Sequence, residues 1–226
     1  MSKVWVGYPD GVTVGPVETS TKAESAYVAL RDAIRTGVLV PGQRLTLQEL
    51  AADLGMSLTP VRDALRLLAN QGLVEQRSHV GTVVSHFTRK RADDVYLLRL
   101  ILEPLATRMA AEAATDADVT TLGGLLARMQ TVLDANELSS FPQLNAAFHR
   151  RIYEAADSNY LLEFIDRLWN GVPYQAISLA SRAWQSHREH RALVAAIASR
   201  DGHEAERLMR DHISAGRTAA LDAISE

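Results

Sequence analysis

The chain has 226 residues, 47% of them hydrophobic, and a formal net charge of −3 at pH 7. That length accommodates two domains, each with enough apolar residues for its own core. The absence of cysteine excludes disulfides and thiolate catalysis. Residues 1 to 20 lack the pattern of a signal peptide, and no run approaches the roughly 20 apolar residues of a membrane span, so a soluble, cytoplasmic protein with no membrane partner is expected.

Residues 1 to 20 contain Pro9, Gly11, Gly15 and Pro16 without helical period and read as a flexible arm. A first domain is expected over residues 21 to 85. Thr21 and Glu24 have the spacing of a capping box, and Ala26, Tyr27, Leu30 and Ile34 line one side of the helix they open. Thr46 and Glu49 repeat that spacing before a short helix with Leu47, Leu50, Ala51 and Leu54 on one face, ending at Gly55. Met56 to Leu68 predict a second helix, with Pro60 in its first turn and Val61, Ala64, Leu65 and Leu68 as its buried stripe. The opposite face presents Leu58, Thr59, Arg62, Asp63 and Arg66. Helix, glycine turn, helix is the pattern of a helix-turn-helix, whose second helix can enter a DNA major groove. After Gly72, Leu73 to Arg77 and Thr82 to Val84 read as two strands joined by Ser78 to Gly81, which makes a wing.

Charge alone does not point to nucleic acid, because residues 20 to 85 hold seven Lys/Arg against six Asp/Glu. The case rests on the placement of Arg62, Arg66 and Arg77 on one surface. Arg66 equally suits a solvated or phosphate-facing charge, and Arg77 a pairing within the hairpin.

Ser85 to Arg91 forms a short basic junction, and only helical patterns follow it. They run from about Thr88 to Ala114, Asp116 to Ala135, Ser140 to Ala156, Asn159 to Asn170, Tyr174 to Ala180, Trp184 to Arg200 and Glu204 to Ser225, with an interruption at Gly171 to Pro173. Pro104 should kink or divide the first of these. On that helix Val95, Leu98, Ile101, Leu102, Leu105 and Met109 are apolar, and Arg99 and Glu103 have the i, i+4 spacing of an intrahelical ion pair, worth only a few tenths of a kcal/mol. The expected fold class is therefore mostly α: an N-terminal winged helix-turn-helix with a small β-hairpin wing, then an all-α antiparallel helical bundle over 86 to 226.

His149, His187, His190 and His212 fall on three different helices of the bundle. Asn145 and His149 are i, i+4, a spacing that serves a metal site and also two polar residues satisfied by backbone or solvent. No H-E-x-x-H, nucleophile elbow or Gly-rich phosphate loop occurs, and Glu189 and Asp211, which directly precede His190 and His212, are expected on a different helix face. No enzyme is expected. A metal-dependent enzyme and a helical interaction module with a winged domain remain the alternatives to a regulator.

The segments A-I-R-T-G-V-L-V-P-G-Q-R-L, L-A-A-D-L-G-M-S-L-T-P-V-R-D-A-L and N-Q-G-L-V-E, at their mutual spacing, resemble the winged-helix domain of GntR-type bacterial transcription regulators. The remainder resembles the helical FCD effector domain of the FadR subfamily. The resemblance implies a ligand-responsive regulator, commonly a repressor, that binds palindromic operator DNA as a homodimer. It places the recognition arginine on Arg62, the phosphate-binding hydroxyl on Thr59 and the wing glycine on Gly81 beside His79; Ser57, Leu58, Arg66 and Gln48 complete the expected DNA-facing set. Leu58 stands where the family usually has arginine, and it can meet a thymine methyl but not make a bidentate contact to guanine. The resemblance also places Arg99 in the effector cavity, against a small organic acid, and a divalent metal, zinc or nickel, on Asn145, His149, His190 and His212. Asn145 replaces the usual carboxylate and should weaken the hold on the ion. His187 is expected outside the ligand set.

Overall fold

The computed structural model describes residues 21–170 and 179–224. The expected N-terminal arm, the Gly171 to Pro173 interruption and the expected helix start at Tyr174 lie outside the described residues.

Helix α1 (Lys22–Thr36) opens on the predicted capping box, with the Glu24 amide donating to Thr21 Oγ1 at 3.2 Å and the Thr21 amide to Glu24 Oε2 at 2.7 Å. A two-residue strand β1 (Arg44–Leu45) then leads into α2 (Leu47–Asp53) and α3 (Leu58–Asn70), followed by β2 (Val74–Arg77) and β3 (Gly81–Val84). The strands form one antiparallel sheet in the order β1-β3-β2, with Arg44 opposite Val83 and Arg77 opposite Gly81. The wing is thus three-stranded where the sequence predicts a hairpin, because β1 is too short to carry an alternation of its own. The second expected capping box does not form. Thr46 is the cap residue of α2 in its backbone, but its hydroxyl caps nothing and is buried without a hydrogen-bond partner. Gly55 turns the chain between α2 and α3 at φ 61, in the left-handed region that favours glycine.

Val61, Ala64 and Leu68 of α3 are fully buried and pack against Ala26, Leu30 and Ile34 of α1 and Val74 and Val84 of the sheet. Trimming Leu68 to alanine would cost about 2–5 kcal/mol. With its back buried, α3 has no freedom to present any face to solvent other than the one carrying Thr59, Arg62 and Arg66.

The second body contains α4 (Arg89–Ala113), α5 (Asp116–Asp134), a short 3₁₀ turn (Leu138–Ser140), α6 (Phe141–Ala155), α7 (Asn159–Asn170), α8 (Leu179–Ala198) and α9 (Gly202–Ala223). Helix α4 lies along α9 and also meets α6 and α7, while α5 packs on α6 and α8. It runs through Pro104 as one helix and is not divided there. Helix α8 begins at Leu179 and therefore includes Trp184 well inside it, so the break expected before Trp184 is absent.

The inward face of α4 is not the apolar one. Tyr96, Arg99, Glu103, Ala106, Thr107 and Ala110 are buried, whereas Leu97, Leu98, Ile101 and Leu105 are 45 to 58% exposed. The side of α4 that hydrophobicity would turn inward faces outward.

The two bodies are tied at specific points. The Arg91 guanidinium, in the first turn of α4, donates to the Gly72 and Gln71 carbonyls at the end of α3. It approaches so closely that a Cβ on Gly72 would lie 3.1 Å from it. Arg31 and Arg35 of α1 both donate to Asn170 Oδ1 at the end of α7, each at 3.4 Å.

Candidate metal centre and DNA-reading surface

Asn145, His149 and Tyr153 follow one another at i, i+4, i+8 on α6, and all three are buried. His190 of α8 and His212 of α9 converge on the same point, and the three histidines offer ring nitrogens that all lie within 4.8 Å of one another. Nε2 of His149 and Nε2 of His212 are 3.2 Å apart. His190 is wholly buried, stacks on Phe148 with ring centroids 4.4 Å apart, and has no hydrogen-bond partner at either nitrogen; Asn145 Oδ1 is likewise buried and unpartnered. His187, one turn earlier on α8, points elsewhere and meets the Leu126 carbonyl at 3.2 Å.

The hydrogen bonds around the cluster assign its tautomers. His149 Nδ1 lies 3.0 Å from the Tyr153 hydroxyl, which itself donates to Glu103. Since that oxygen has spent its hydrogen, it accepts from Nδ1–H. His212 Nδ1 lies 2.6 Å from Glu189 Oε2, an acceptor only. Both facing Nε2 atoms therefore carry lone pairs, and two lone pairs at hydrogen-bond distance repel unless a proton or a cation lies between them. Burial first, then His190 and His212, holds the His149 pKa well below the usual imidazole value, so this ring resists taking a proton. Burial, followed by His212, His187 and Arg182, does the same to His190. Three buried, convergent imidazoles, with the buried and unpartnered Asn145 Oδ1 one turn from His149 on α6, fit a borderline divalent cation such as zinc or nickel.

A cavity of about 20 Å³ adjoins the cluster, lined by Asn145, His149 and His212 with Tyr96, Arg99, Trp169, Arg182 and Ser186 around them. That volume holds about one water-sized group. Arg99 is 6% exposed and pairs with Glu103, its Nε 2.6 Å from Oε1, and its guanidinium lies 4.8 Å from the Tyr96 ring centroid and 4.5 Å from that of Trp169. Burial is the largest single influence and acts to lower the Arg99 pKa, but the Glu103 charge and hydrogen bond together with Tyr96 and Tyr153 outweigh it, and the net direction is upward. The expected intrahelical ion pair forms, but it is buried, so the few tenths of a kcal/mol of a solvated pair do not describe it, and Glu103 also accepts from Tyr153 and from Trp169 Nε1, the latter at 2.8 Å.

Glu189 also joins the cluster. It does leave its own helix on a different face from His190, as expected, but that face meets α9, where the carboxylate reaches His212. Arg182 falls in the gap between the expected helices ending at Ala180 and beginning at Trp184, whereas Ser186 lies inside the second of them, one turn before His190. Continuing the helix through 182 sets Arg182, Ser186 and His190 at i, i+4, i+8, a signal the sequence does hold.

On the other body, Thr59, Arg62, Arg66, Gln48 and Ser57 are exposed together, and Leu58 is 39% exposed. Ser57 is the N-cap residue of α3, yet its hydroxyl makes no capping bond. Arg66 lies 3.6 Å from Asp63 in an open ion pair. Arg77 pairs with Glu75 at 2.6 Å, two residues back along its own strand and not across the hairpin. His79 and Gly81 occupy the tip of the wing at φ 63 and φ 98.

A family model described as "Bacterial regulatory proteins, gntR family" matches residues 22–84, and one described as "FCD domain" matches residues 94–215. The chain belongs to the GntR family. "Probable D-xylose utilization operon transcriptional repressor" of Paenarthrobacter nicotinovorans is 31% identical over 188 residues, which is 80% of this chain and 81% of that protein. "HTH-type transcriptional regulator McbR" of Escherichia coli K12 is 29% identical over 177 residues, 76% of this chain and 80% of its own. The solved structure "E. coli McbR/YncC" shares the fold with a TM-score of 0.81 at 23% identity, covering 90% of this chain and 99% of that one. This GntR-family chain is accordingly a transcriptional regulator with an FCD effector domain, and not an enzyme. Among the described residues, no helix is long and apolar enough to cross a membrane.

Proposed function

We propose that this regulator binds a palindromic operator in double-stranded DNA as a homodimer, acts as a repressor in the cytoplasm, and answers to a small organic acid bound at a divalent metal in the helical body. The division at residues 85 and 86, with an N-terminal arm before residue 21, belongs to the same reading. The facing Nε2 atoms of His149 and His212, 3.2 Å apart with His190 unpartnered beside them, carry the metal assignment. Asn145, His149, His190 and His212 would hold the ion, which when bound supplies a Lewis-acidic docking point for a carboxylate. Arg99 and Arg182 line the same cavity and supply positive charge toward that carboxylate.

The exposed Leu97, Leu98, Ile101 and Leu105 support dimerisation along α4, since a continuous apolar stripe on a helix surface calls for a partner. On DNA, Arg62 reads base edges, Thr59, Ser57, Gln48 and Arg66 fix α3 against the backbone, Leu58 meets a thymine methyl, and His79 with Gly81 brings the wing tip to the minor groove.

A cavity of about 20 Å³ does not hold an organic acid, so the effector must displace a lining side chain. Trp169 is the one whose movement reaches the DNA-binding body, because the next residue, Asn170, accepts from Arg31 and Arg35 of α1. The effector thereby biases how the two recognition helices are held, together with the Arg91 tie to the end of α3. Selection of bound sequences from random duplex DNA tests the operator claim. An enriched inverted repeat that disappears with Arg62→Ala supports a dimeric reader, and the absence of any enriched motif from folded protein supports the interaction-module alternative.

A further inference from the structure

Each of the two facing histidines has its outer nitrogen engaged by an oxygen, and the two engagements lead to different carboxylates. Behind His149, Tyr153 passes the contact to Glu103, which is wholly buried and held by Arg99 Nε at 2.6 Å and Trp169 Nε1 at 2.8 Å. Behind His212, Glu189 is held by Arg182 Nη2, 3.1 Å from both carboxylate oxygens, and by Gln185 Nε2 at 2.8 Å. His190 has no such support and is fixed by stacking on Phe148.

We infer that Glu189, and Glu103 acting through Tyr153, are positioning residues of the histidine centre, which lock His212 and His149 as Nδ1–H tautomers with their Nε2 lone pairs aimed at one point. The inference rests on the metal reading above and extends it to the shell behind the ligands. A ring whose outer N–H is tied to a carboxylate, directly or through a hydroxyl, has both its tautomer and its orientation set before the ion arrives, and it is a more basic ligand. Two of the three imidazoles are built this way and the third is held by packing alone, so the centre is two fixed arms and one adaptable one.

Tyr153→Phe removes the hydroxyl with the ring retained, Glu189→Leu removes the carboxylate on the opposite side, and Glu189→Gln keeps an acceptor oxygen. Two readouts are taken on the full-length protein: zinc affinity by chelator competition, and the ring ¹⁵N signals of the histidines in chelator-treated protein. Tyr153→Phe and Glu189→Leu are each expected to weaken zinc by about 10–100-fold and to release one fixed tautomer, His149 in the first and His212 in the second. Glu189→Gln should lose less than Glu189→Leu. Because the two substitutions probe separate arms, misfolding of one leaves the other as a test. Zinc affinity and ring signals unchanged in both Tyr153→Phe and Glu189→Leu would overturn the inference. A parent protein that takes up no zinc, yet shows fixed tautomers which these variants release, would remove the metal reading and leave the positioning role standing.

Discussion

His149 and His212 face each other across 3.2 Å with Nε2 toward Nε2, while each ring's Nδ1 is committed to an oxygen on its far side. An arrangement of two opposed acceptors is unfavourable in a dry interior, and it becomes favourable once a cation stands between them. The packing of α6 and α9 against α8 thus holds a shape that makes chemical sense for a bound metal.

Asn145 tests the composition of that site. Its Oδ1 is buried and unpartnered, in the place where a carboxylate would add a negative charge. Asn145→Asp is expected to tighten zinc about tenfold, equivalent to about 1.4 kcal/mol, by chelator competition. Unchanged or weaker binding would remove residue 145 from the ligand set.

The buried histidines make stability depend on pH once the metal is removed. His149 and His190 have folded-state pKa values below the 6.5 of a free imidazole. Below about pH 6.5 the unfolded chain therefore takes up protons that the folded chain does not, so their contribution is full above that pH and is lost as pH falls toward the folded values. Denaturant titrations of chelator-treated protein should show stability dropping with acid, by up to about 1.4 kcal/mol per pH unit for each histidine. His190→Asn should reduce that slope. A slope the same as the parent's would contradict the assignment.

On the proposed DNA-reading surface, Leu58 is the residue that would set the half-site apart. Leu58→Arg should shift the sequences selected from random DNA toward guanine at the position it meets, with a discrimination of about 1–3 kcal/mol. Identical half-sites before and after the substitution would mean that Leu58 touches no base.

The outward stripe on α4 predicts the oligomer. Ile101 is 58% exposed and central to Leu97, Leu98 and Leu105, so Ile101→Glu would set like charges against each other in a symmetric interface. Light scattering should show a dimer for the parent and a monomer for Ile101→Glu. A parent that is monomeric at all concentrations would sink the two-fold operator model.

Much of this fold is legible in the sequence because helix starts and glycine turns are local chemistry. Thr21 with Glu24, Gly55 and the stripe Val61, Ala64, Leu65, Leu68 each specify their element within a few residues. What stayed illegible depends on neighbours. Arg99 and Glu103 have the same i, i+4 spacing on a surface as in an interior, and only the approach of Tyr153 and Trp169 from other helices makes them the latter. Glu189 does lie on a different face of α8 from His190, but that face is the one turned to α9, which the sequence of α8 alone does not show. The inversion of α4, with Leu97 and Ile101 outside and Glu103 inside, runs against hydrophobicity and is what the proposed dimer would account for.

The metal content of the tag-free protein is the most direct test. Elemental analysis after dialysis is predicted to find about one zinc or nickel per chain, lost in His149→Ala and in His212→Ala. A folded parent that stays metal-free after incubation with excess zinc and nickel would contradict the central claim that these histidines are arranged around an ion.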